Sequence, residues 1–480
     1  MSVLQQLMEA GVKPRRLVSD SRRVEVGDVF VAYPGETADG RAHIAQAIAH
    51  GAAAVLWEQK AGRWSEEWRV TNIAVDELRE QVGVIAGEFF DHPSQKLWMI
   101  GVTGTNGKTS CSHWLAQCLT PLGRKTAVVG TLGNGFPHAL SEAINTTPDP
   151  IALQSQLADF VVQGAQAVAM EVSSHGLAQG RVNGIRFDVA VLTNLSRDHL
   201  DYHGSMEAYA AAKAQLFGWP ELKHAVLNAD DAFGVQLAEM LRGQGKHVLT
   251  YGLEKGDVAC RALSLNEDGI VMDVVTPQGG MRIAAPVLGR FNAANVLAVL
   301  AVLLASDIPL PQAAAALRHI TPVPGRMQQL GGGALPLVVV DYAHTPDALA
   351  KVLGSLREQC RGRLFCVFGC GGNRDKGKRQ LMGGIASRQA DYCIVTSDNP
   401  RHENPRAIID EIIAGMDGDY RIEEDRAAAV DSAIRAATAG DIVVLAGKGH
   451  ETYQLIGDRK LPFSDIEVAR RVLDSMGKTA

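Results

Sequence analysis

The sequence predicts an α/β protein of several domains, built largely on parallel sheets. Short runs of apolar and β-branched residues alternate along the chain with longer segments of helical periodicity, which is the pattern of parallel strands joined by helices. A chain of 480 residues exceeds what one hydrophobic core usually supports. Breaks at His92-Pro93 and around Pro322 predict three domains, over residues 1–93, 94–321 and 322–480.

The composition excludes several classes of protein. Apolar residues make up 46% and charged residues 21%, which is ordinary for a soluble globular protein. A net charge of -6 argues against non-specific attraction to nucleic acid or anionic membranes. The 7 cysteines form no C-x-x-C pair and indicate reduced thiols. The start lacks signal-peptide features, and the longest apolar run, residues 296–305, is about half of a membrane span. We expect a cytoplasmic protein with no membrane span.

The first region contains short predicted strands at residues 28–33 and 53–57.

The second region opens with a predicted strand at residues 97–102, which a phosphate loop follows. Its sequence, T-G-T-N-G-K-T, leads into a helical segment, so backbone N–H groups and the helix N-terminus can face a phosphate. Lys108 would reach the β- and γ-phosphates, and the Thr109 hydroxyl would bind Mg²⁺. Val102 replaces the first glycine of the general pattern, which makes this loop a variant. The predicted ATP-binding residues here are Gly104, Thr105, Asn106, Gly107, Lys108, Thr109 and Ser110.

A carboxylate and an imidazole follow two further strands of the second region. Glu171 ends a predicted strand over residues 165–170, and His199 lies in the segment after the strand at 189–192. Neighbouring parallel strands end at one edge of a sheet, so the two side chains could hold Mg²⁺ near the phosphate loop. Each residue alone is more often a hydrogen-bonded or solvated side chain. Lys213 looks by composition like a helix-surface lysine, and the residues alone give it no role.

Four predicted strands of the third region end in polar or glycine-rich segments. The strands cover residues 337–340, 364–368, 392–396 and 442–446, and D-Y-A-H, a basic glycine-rich turn, S-D-N-P-R and G-K-G-H-E follow them in that order. These ends predict one rim that faces a common ligand. We interpret the basic turn as solvated, with one arginine that binds the ligand, because the chain is acidic overall. Its basic residues are Arg374, Lys376, Lys378 and Arg379.

These motifs resemble those of the Mur ligases, and among them the ligases that add the third residue of the peptidoglycan stem peptide. The resemblance extends over essentially the whole chain. The matching motifs are G-T-N-G-K-T-S at residues 104–110, N-T-T at 145–147, E-V-S-S-H-G-L at 171–177, T-N-L-S-R-D-H-L-D-Y-H-G at 193–204, G-R-F-N-A-A-N at 289–295, D-Y-A-H-T-P-D-A-L at 341–349, G-C-G-G-N-R-D-K-G-K-R at 369–379 and D-N-P-R at 398–401.

The resemblance implies a small N-terminal α/β domain for a uridine nucleotide, a central P-loop ATPase-type domain and a C-terminal Rossmann-like domain that selects an amino acid. The implied enzyme is monomeric, depends on ATP and Mg²⁺, and joins meso-diaminopimelate to UDP-N-acetylmuramoyl-L-alanyl-D-glutamate through an acyl phosphate. Lys213 falls where the family carries a carbamylated lysine (N6-carboxylysine). The implied catalytic residues are Lys108, Glu171, His199 and Lys213, and the implied Mg²⁺ ligands are Thr109, Glu171, His199 and the Lys213 carbamate.

The remaining implied contacts fall into four groups by ligand. The uridine-nucleotide domain would use Ser21, Glu36, Thr37 and Ala38. The muramoyl-dipeptide would contact Asn145, Thr146, Thr147, Ser173, Gln179 and Arg181. Further ATP contacts would come from Asn292, Asn295, Arg326 and Asp341. The incoming amino acid would contact Arg374, Asp398, Asn399, Pro400, Arg401, Gly447 and Glu451.

Arg401 is the residue expected to distinguish diaminopimelate from lysine as the incoming amino acid. Diaminopimelate carries a second carboxylate, which a guanidinium can bind through two parallel N–H bonds. Lysine-adding relatives have no such carboxylate to bind and lack this arginine, and Glu451 could accept from the distal ammonium. Three alternatives stay open: the same reaction with L-lysine, a ligase like folylpolyglutamate synthetase, and a P-loop kinase or NTPase that forms no amide.

Overall fold

The computed structural model describes residues 1–36, 38–266 and 268–477. Thr37, one of the predicted substrate contacts, lies outside the described residues. The chain forms two compact units whose boundary in the sequence lies between Thr250 and Tyr251. Among the helices of the described ranges, none is long and apolar enough to cross a membrane.

The first unit begins with a small parallel sheet. Its four strands are hydrogen-bonded in chain order, and every residue of the two central strands is buried. The predicted strands at 28–33 and 53–57 are thereby confirmed, with slightly shorter or shifted ends. The strands are β1 (Leu17–Val18), β2 (Val29–Ala32), β3 (Ala54–Glu58) and β4 (Thr71–Val75), and the helices of this region are α1 (Val3–Glu9), α2 (Ile44–Ala49) and α3 (Leu78–Phe89).

The second sheet of this unit carries the phosphate loop. Its strand order is β11-β10-β5-β9-β6-β7-β8, parallel from β11 to β6 and antiparallel at the last two strands. The parallel strands are continuous apolar runs because helices cover both faces of such sheets. The strands are β5 (Trp98–Thr103), β6 (Thr126–Gly130), β7 (Gly133–Phe136), β8 (Ala139–Ser141), β9 (Ala167–Glu171), β10 (Val189–Leu192) and β11 (His224–Asn228).

The helices α4 to α8 lie between these strands in the chain, and α9 follows β11. α5 begins at Pro150 behind a capping Asp149, whose side chain accepts from the backbone N–H of Ala152. α4 follows the phosphate loop and buries residues along nearly its whole length. The helices are α4 (Lys108–Leu119), α5 (Pro150–Val162), α6 (Ser174–Ala178), α7 (Leu200–His203), α8 (Met206–Ala214) and α9 (Ala232–Gly243).

α3 packs backbone to backbone against the loop that follows α6. A Cβ built on Gly83 would lie 2.0 Å from the carbonyl oxygen of Asn183, so only glycine allows this approach. Two side chains strengthen the contact: Gln154 Nε2 donates to the Gly83 carbonyl at 3.1 Å, and Asn183 Nδ2 donates to the Glu80 carbonyl at 3.0 Å. The N-terminal sheet region is therefore fixed to the larger sheet of its unit.

The second unit starts with an antiparallel meander and two helices. The strand β12 (Val248–Gly252) contains the boundary between the units. The apolar run 296–305 lies in α10 and is fully or nearly buried, as expected for a core helix. The meander strands are β13 (Val258–Asn266), β14 (Gly269–Thr276) and β15 (Gly279–Ala285), and the helices are α10 (Arg290–Ala305) and α11 (Leu310–Leu317).

A six-stranded sheet with the order β16-β17-β21-β18-β19-β20 forms the rest of this unit. β17, β21, β18 and β19 are parallel neighbours, so the four polar strand ends share one edge, as predicted. The strands are β16 (Gln328–Gly331), β17 (Leu337–Asp341), β18 (Leu364–Phe368), β19 (Tyr392–Val395), β20 (Tyr420–Ile422) and β21 (Ile442–Ala446), followed by a hairpin of β22 (Tyr453–Ile456) and β23 (Arg459–Pro462).

Five helices cover this sheet, and two of them begin with a capping side chain followed by proline. Thr345 caps one, and Asn404 caps the other. Apolar side chains from both faces of the sheet form two core clusters. The helices are α12 (Pro346–Arg357), α13 (Gly377–Gln389), α14 (Pro405–Ile413), α15 (Arg426–Ala436) and α16 (Asp465–Gly477).

Two arginines of this unit are buried with carboxylate partners. Arg379 is 0% exposed and contacts Glu403 and Glu411, so the prediction of a solvated basic turn is wrong for this residue. Its position inside α13 turns it toward α14. Arg426 Nε and Nη2 donate to the two carboxylate oxygens of Asp465 at 2.8 and 2.7 Å, and both side chains are 0% exposed. Arg426 also donates to the carbonyl of Ala446, the last residue of β21.

We predict that Arg426→Met destabilises the second unit by about 3–5 kcal/mol, because it leaves the Asp465 carboxylate buried without its cation. Arg435→Met on the same helix is the matched control, since the ion pair of Arg435 with Asp431 is exposed and should contribute less than about 1 kcal/mol. Urea denaturation of both variants measures the difference. Equal stability of the two variants would contradict the prediction.

Candidate active site

The phosphate loop has the backbone that its glycines predict. Gly104 has a φ of +142°, and a Cβ there would lie 1.9 Å from Thr193 Oγ1, so no other residue fits. Gly107 has a φ of +89° and begins α4, whose first turn contains Lys108, Thr109 and the buried Ser110. The strand, loop and helix therefore form a site where backbone N–H groups and a helix N-terminus meet.

The segment after β10 supports this loop. Asn194 accepts from the backbone N–H of Thr105 through its carbonyl at 2.8 Å, and from that of Asn106 through its side chain at 3.0 Å. Thr193 Oγ1 donates to the Asn106 carbonyl at 2.6 Å. These roles of Thr193 and Asn194 were not predicted, although both residues lie in the T-N-L-S motif.

Two lysines meet at the carbonyl oxygen of Gly104. Lys108 Nζ donates to it at 2.8 Å and also to the Thr105 carbonyl at 2.9 Å, while Lys213 Nζ donates to it at 2.9 Å. Lys213 is 1% exposed, so its interpretation as a surface lysine is wrong: α8 turns it toward the phosphate loop. The pKa of Lys213 is well below the usual value for lysine, mainly because the side chain is buried. The nearby ammonium of Lys108 lowers this pKa further.

Glu171 ends β9 beside the phosphate loop. Its Oε2 accepts from the hydroxyl of Thr109 at 2.9 Å and from that of Thr131 at 3.1 Å, and its Oε1 accepts from the Thr131 backbone N–H at 2.8 Å. A Cβ on Gly130 would lie 2.2 Å from Oε1, so glycine makes room for the carboxylate. Glu171 is 1% exposed and forms no ion pair within the described ranges. A buried carboxylate without a cation suits a metal ligand.

His199 and Lys213 both lie near the ring of Tyr209. The His199 ring is 6.0 Å from the ring of Tyr209, while Lys213 Nζ is 4.4 Å from that ring. His199 has a φ of +53°, and desolvation lowers its pKa, an effect that Asp198 opposes. The described side chains contain no group of three or more His, Cys, Asp or Glu residues arranged to hold a metal. Thr109, Glu171 and His199 offer a hydroxyl, a carboxylate and an imidazole, and a carbamate on Lys213 would add a further oxygen donor of the kind that Mg²⁺ prefers.

The structure brings together most of the residues predicted to hold the dipeptide. Thr147 Oγ1 donates to the Glu171 carbonyl at 3.0 Å and accepts from the Ser173 backbone N–H at 3.0 Å. Arg181 donates to the Thr147 carbonyl at 2.9 Å and to Gln179 at 2.8 Å. The remaining two predicted contacts lie on the same segment: Thr146 pairs with Thr131 at 3.0 Å, and the side chain of Asn145 is exposed.

The predicted contacts in the N-terminal sheet region form a separate group. Ser21 is buried, and its hydroxyl donates to Gln46 Oε1 at 2.8 Å. Glu36 pairs with Arg79 on α3, and the carbonyl of Ala38 accepts from the backbone N–H of Gly35. These partners hold the two turns that precede α2.

In the second unit, the predicted nucleotide contacts occupy two places. Asn292 and Asn295 lie buried in the first turns of α10, where Asn295 Nδ2 donates to Asn292 Oδ1 at 3.1 Å. Asp341 ends β17 and accepts from two backbone N–H groups, and burial raises its pKa while the charge of Arg326 opposes this. The Arg326 guanidinium lies 4.5 Å from the Tyr342 ring.

The predicted amino-acid contacts gather at the shared edge of the six-stranded sheet. Asn399 Nδ2 donates to Glu451 Oε2 at 2.8 Å, and Gln454 donates to the carbonyl of Asp398. Gly447 has a φ of +113°, and a Cβ there would lie 2.7 Å from Asp398 Oδ2. The sequence interpretation missed Lys448, which is 0% exposed and donates to Asn399 and Glu451.

Arg374 and Arg401 border Gly371 at the same edge: a Cβ on Gly371 would lie 2.9 Å from Arg401 Nη1 and 3.9 Å from Arg374 Cγ. Arg401 has a φ of +51°, and it follows the buried Pro400. Its Nη1 donates to the Gly372 carbonyl at 2.8 Å, which leaves most of its five N–H donors for a ligand. Arg374 is exposed.

Family models match most of the chain. The model of the Mur ligase family, catalytic domain, covers residues 15–90. The model of the Mur ligase middle domain covers 102–303, and that of the Mur ligase, glutamate ligase domain, covers 325–449.

Similar proteins extend over nearly the whole length. The UDP-N-acetylmuramoyl-L-alanyl-D-glutamate--2,6-diaminopimelate ligase of Chromobacterium violaceum is 54% identical over 98% of this chain and 97% of its own. The ligase of the same name from Pseudomonas aeruginosa is 52% identical over 96% and 95%. A solved structure of a ligase of this name is 38% identical, with a TM-score of 0.73 over 97% and 95% of the two chains. The MurF ligase of Thermotoga maritima, solved with ADP, shares the fold at 20% identity and a TM-score of 0.66 over 96% and 98%. On this evidence the chain belongs to the Mur ligase family.

Proposed function

We propose that this chain uses ATP to join meso-diaminopimelate to UDP-N-acetylmuramoyl-L-alanyl-D-glutamate in peptidoglycan synthesis. The names of its relatives support this reaction. The observation that carries the proposal is the phosphate loop, where two lysines meet at one carbonyl oxygen next to the buried Glu171–Thr109 pair. A polyanionic nucleotide would replace that carbonyl as the partner of Lys108.

The reaction needs activation, because a carboxylate is a poor electrophile at neutral pH. The D-glutamyl carboxylate attacks the γ-phosphorus of ATP, and the bond to ADP breaks to give an acyl phosphate. The amine of diaminopimelate then attacks the acyl carbon, and inorganic phosphate leaves as the amide forms. Lys108 and the backbone N–H groups at the start of α4 bind the phosphates, and Arg181 and Ser173 hold the dipeptide end in line.

Mg²⁺ supplies charge neutralisation to the phosphoryl groups when it is bound. The proposed ligands are Thr109, Glu171, His199 and Lys213 as its carbamate. The lowered pKa of Lys213 supports the carbamate, since the neutral amine is the form that attacks carbon dioxide, with release of a proton. The modification would turn a buried amine into a carboxylate-like ligand.

Arg401 and Arg374 are the proposed contacts to the second carboxylate of diaminopimelate. The left-handed backbone of Arg401 is held from both sides, because its N–H donates to the Leu455 carbonyl at 2.9 Å and its carbonyl accepts from Gly457 at 2.7 Å. A fixed guanidinium with free donors suits bidentate binding of a carboxylate.

The three-domain boundaries, a monomeric state and a cytoplasmic location stay predictions.

We predict that purified protein with Mg-ATP and UDP-N-acetylmuramoyl-L-alanyl-D-glutamate releases ADP when meso-diaminopimelate is added, and not with L-lysine or without an amino acid. Coupled measurement of ADP gives the three rates. Turnover with L-lysine would overturn the role of Arg401 in selection. Equal ADP release in all three reactions would favour an NTPase that forms no amide.

Lys213→Ala should lower the ligase rate at least about tenfold, because it removes the proposed metal ligand. Short carboxylic acids such as acetate should restore part of the rate by occupying the space of the carbamate. Lys108→Ala is the matched control, since it removes a cation that no carboxylic acid can replace. Full activity of Lys213→Ala, or equal rescue of both variants, would rule out the carbamate.

Thr131→Val should lower kcat/KM of the ligase reaction about tenfold, as expected for the loss of one hydrogen bond to a charged acceptor. The change removes the hydroxyl shared by Glu171 and Thr146 and leaves the backbone bond from residue 131 to Glu171 intact. Thr131→Ser keeps the hydroxyl and should stay near the original activity. Unchanged steady-state kinetics in the valine variant would show that the hydroxyl is dispensable.

A further inference from the structure

Lys448 is a buried cation at the end of β21. It lies between Gly447 and Gly449, and its side chain is 0% exposed. A lysine without solvent is stable only where acceptors surround its ammonium. Neither the proposed mechanism nor the proposed amino-acid contacts give this residue a role.

The ammonium of Lys448 closes a ring of three polar side chains. Its Nζ donates to Asn399 Oδ1 at 3.1 Å and to Glu451 Oε2 at 2.9 Å. Asn399 Nδ2 donates to the same Glu451 oxygen at 2.8 Å. The ring connects the end of β19 to the end of β21, at the edge where the amino-acid contacts gather.

The orientation of the Asn399 amide is fixed by its donors. Its Oδ1 accepts from Lys448 Nζ and also from the backbone N–H of Leu455 at 3.0 Å. A rotated amide would place its NH₂ group against both donors, which excludes that orientation. Nδ2 must therefore point toward Glu451.

Glu451 is left with one occupied and one open oxygen. Oε2 accepts two hydrogen bonds, whereas Oε1 accepts none from the side chains and backbone of the described ranges. The side chain is 18% exposed, so a ligand can reach it. Oε1 is an acceptor held in place and available to a positively charged amine.

We propose that Lys448 is a positioning residue for the amino-acid substrate. With Asn399 it saturates Oε2 of Glu451 and thereby presents Oε1 to the distal amino group of diaminopimelate. This inference rests on the proposed function and assigns one recognition element within it. A purely structural lysine would only connect the strand ends, and its loss would affect all amino acids alike.

The test compares two substrates that differ at the distal amine. L-2-aminopimelate has the second carboxylate of diaminopimelate and lacks the second amino group. The unaltered enzyme should prefer meso-diaminopimelate in kcat/KM by at least about tenfold, the size of one hydrogen bond between charged groups. Lys448→Met should lower that preference by about tenfold while the KM for ATP stays the same.

Lys460→Met is the matched control. Lys460 is exposed on β23, and its Nζ lies 4.0 Å from the ring of Tyr453. Lys448 Nζ lies 5.8 Å from the same ring, so the two lysines share this neighbour. Its loss should leave the substrate preference unchanged. A similar loss of preference in both lysine variants would overturn the inference.

Glu451→Gln gives a second test that does not depend on the folding of the Lys448 variant. The amide oxygen of the glutamine must face the donors of Lys448 and Asn399, so its NH₂ group takes the position of Oε1. The variant should then lose the preference for meso-diaminopimelate over L-2-aminopimelate, because a donor now faces the distal ammonium. A retained preference would overturn the proposed orientation.

The outcomes separate this inference from the proposed function. If the unaltered enzyme forms no amide with meso-diaminopimelate, the proposed function fails and the inference fails with it. If amide formation occurs but Lys448→Met lowers kcat/KM for both substrates equally, only the positioning role is overturned.

Discussion

The candidate site of the first unit depends on the register of three neighbouring strands. β5 lies between β9 and β10, with Val102 paired to Glu171 and Thr103 paired to Leu192. This register places the phosphate loop next to Glu171 on one side and next to the segment after β10 on the other. A slip of one residue would turn every side chain of a strand to the opposite face. The Thr109–Glu171 contact therefore requires that the buried strands pair in this one way.

Each unit buries a lysine at the edge of its sheet, with opposite surroundings. Lys213 faces a carbonyl oxygen and the ammonium of Lys108, so its environment favours the neutral amine. Lys448 faces a carboxylate and an amide oxygen, and its Nζ donates a hydrogen bond to each. On the proposed function, the same residue type therefore serves covalent modification in one place and ion pairing in the other. The partner atoms, and not the extent of burial, make the difference.

The sequence predicted the strands and their polar ends because these features depend on local patterns. Continuous apolar runs marked β5, β9, β10 and the parallel strands of the second unit, and glycines marked the phosphate loop. The family resemblance supplied what local patterns could not, such as the importance of Lys213.

Residues that depend on contacts distant in sequence were missed or misjudged. Lys213 and Arg379 looked solvated, yet tertiary packing turns both toward buried partners. Thr131 has no distinctive local pattern, and Lys448 lies in the G-K-G-H-E segment without standing out there, so their proposed roles follow only from which strand ends become neighbours. The packing of α3 against the loop after α6 has the same origin, and it has a further consequence on the proposed function. The close approach at Gly83 joins the region of the proposed uridine-nucleotide contacts to the loop that carries Gln179 and Arg181. On the proposed function, this packing sets the separation between the proposed nucleotide contacts and the proposed dipeptide contacts, and with it the length of precursor that the first unit can bind.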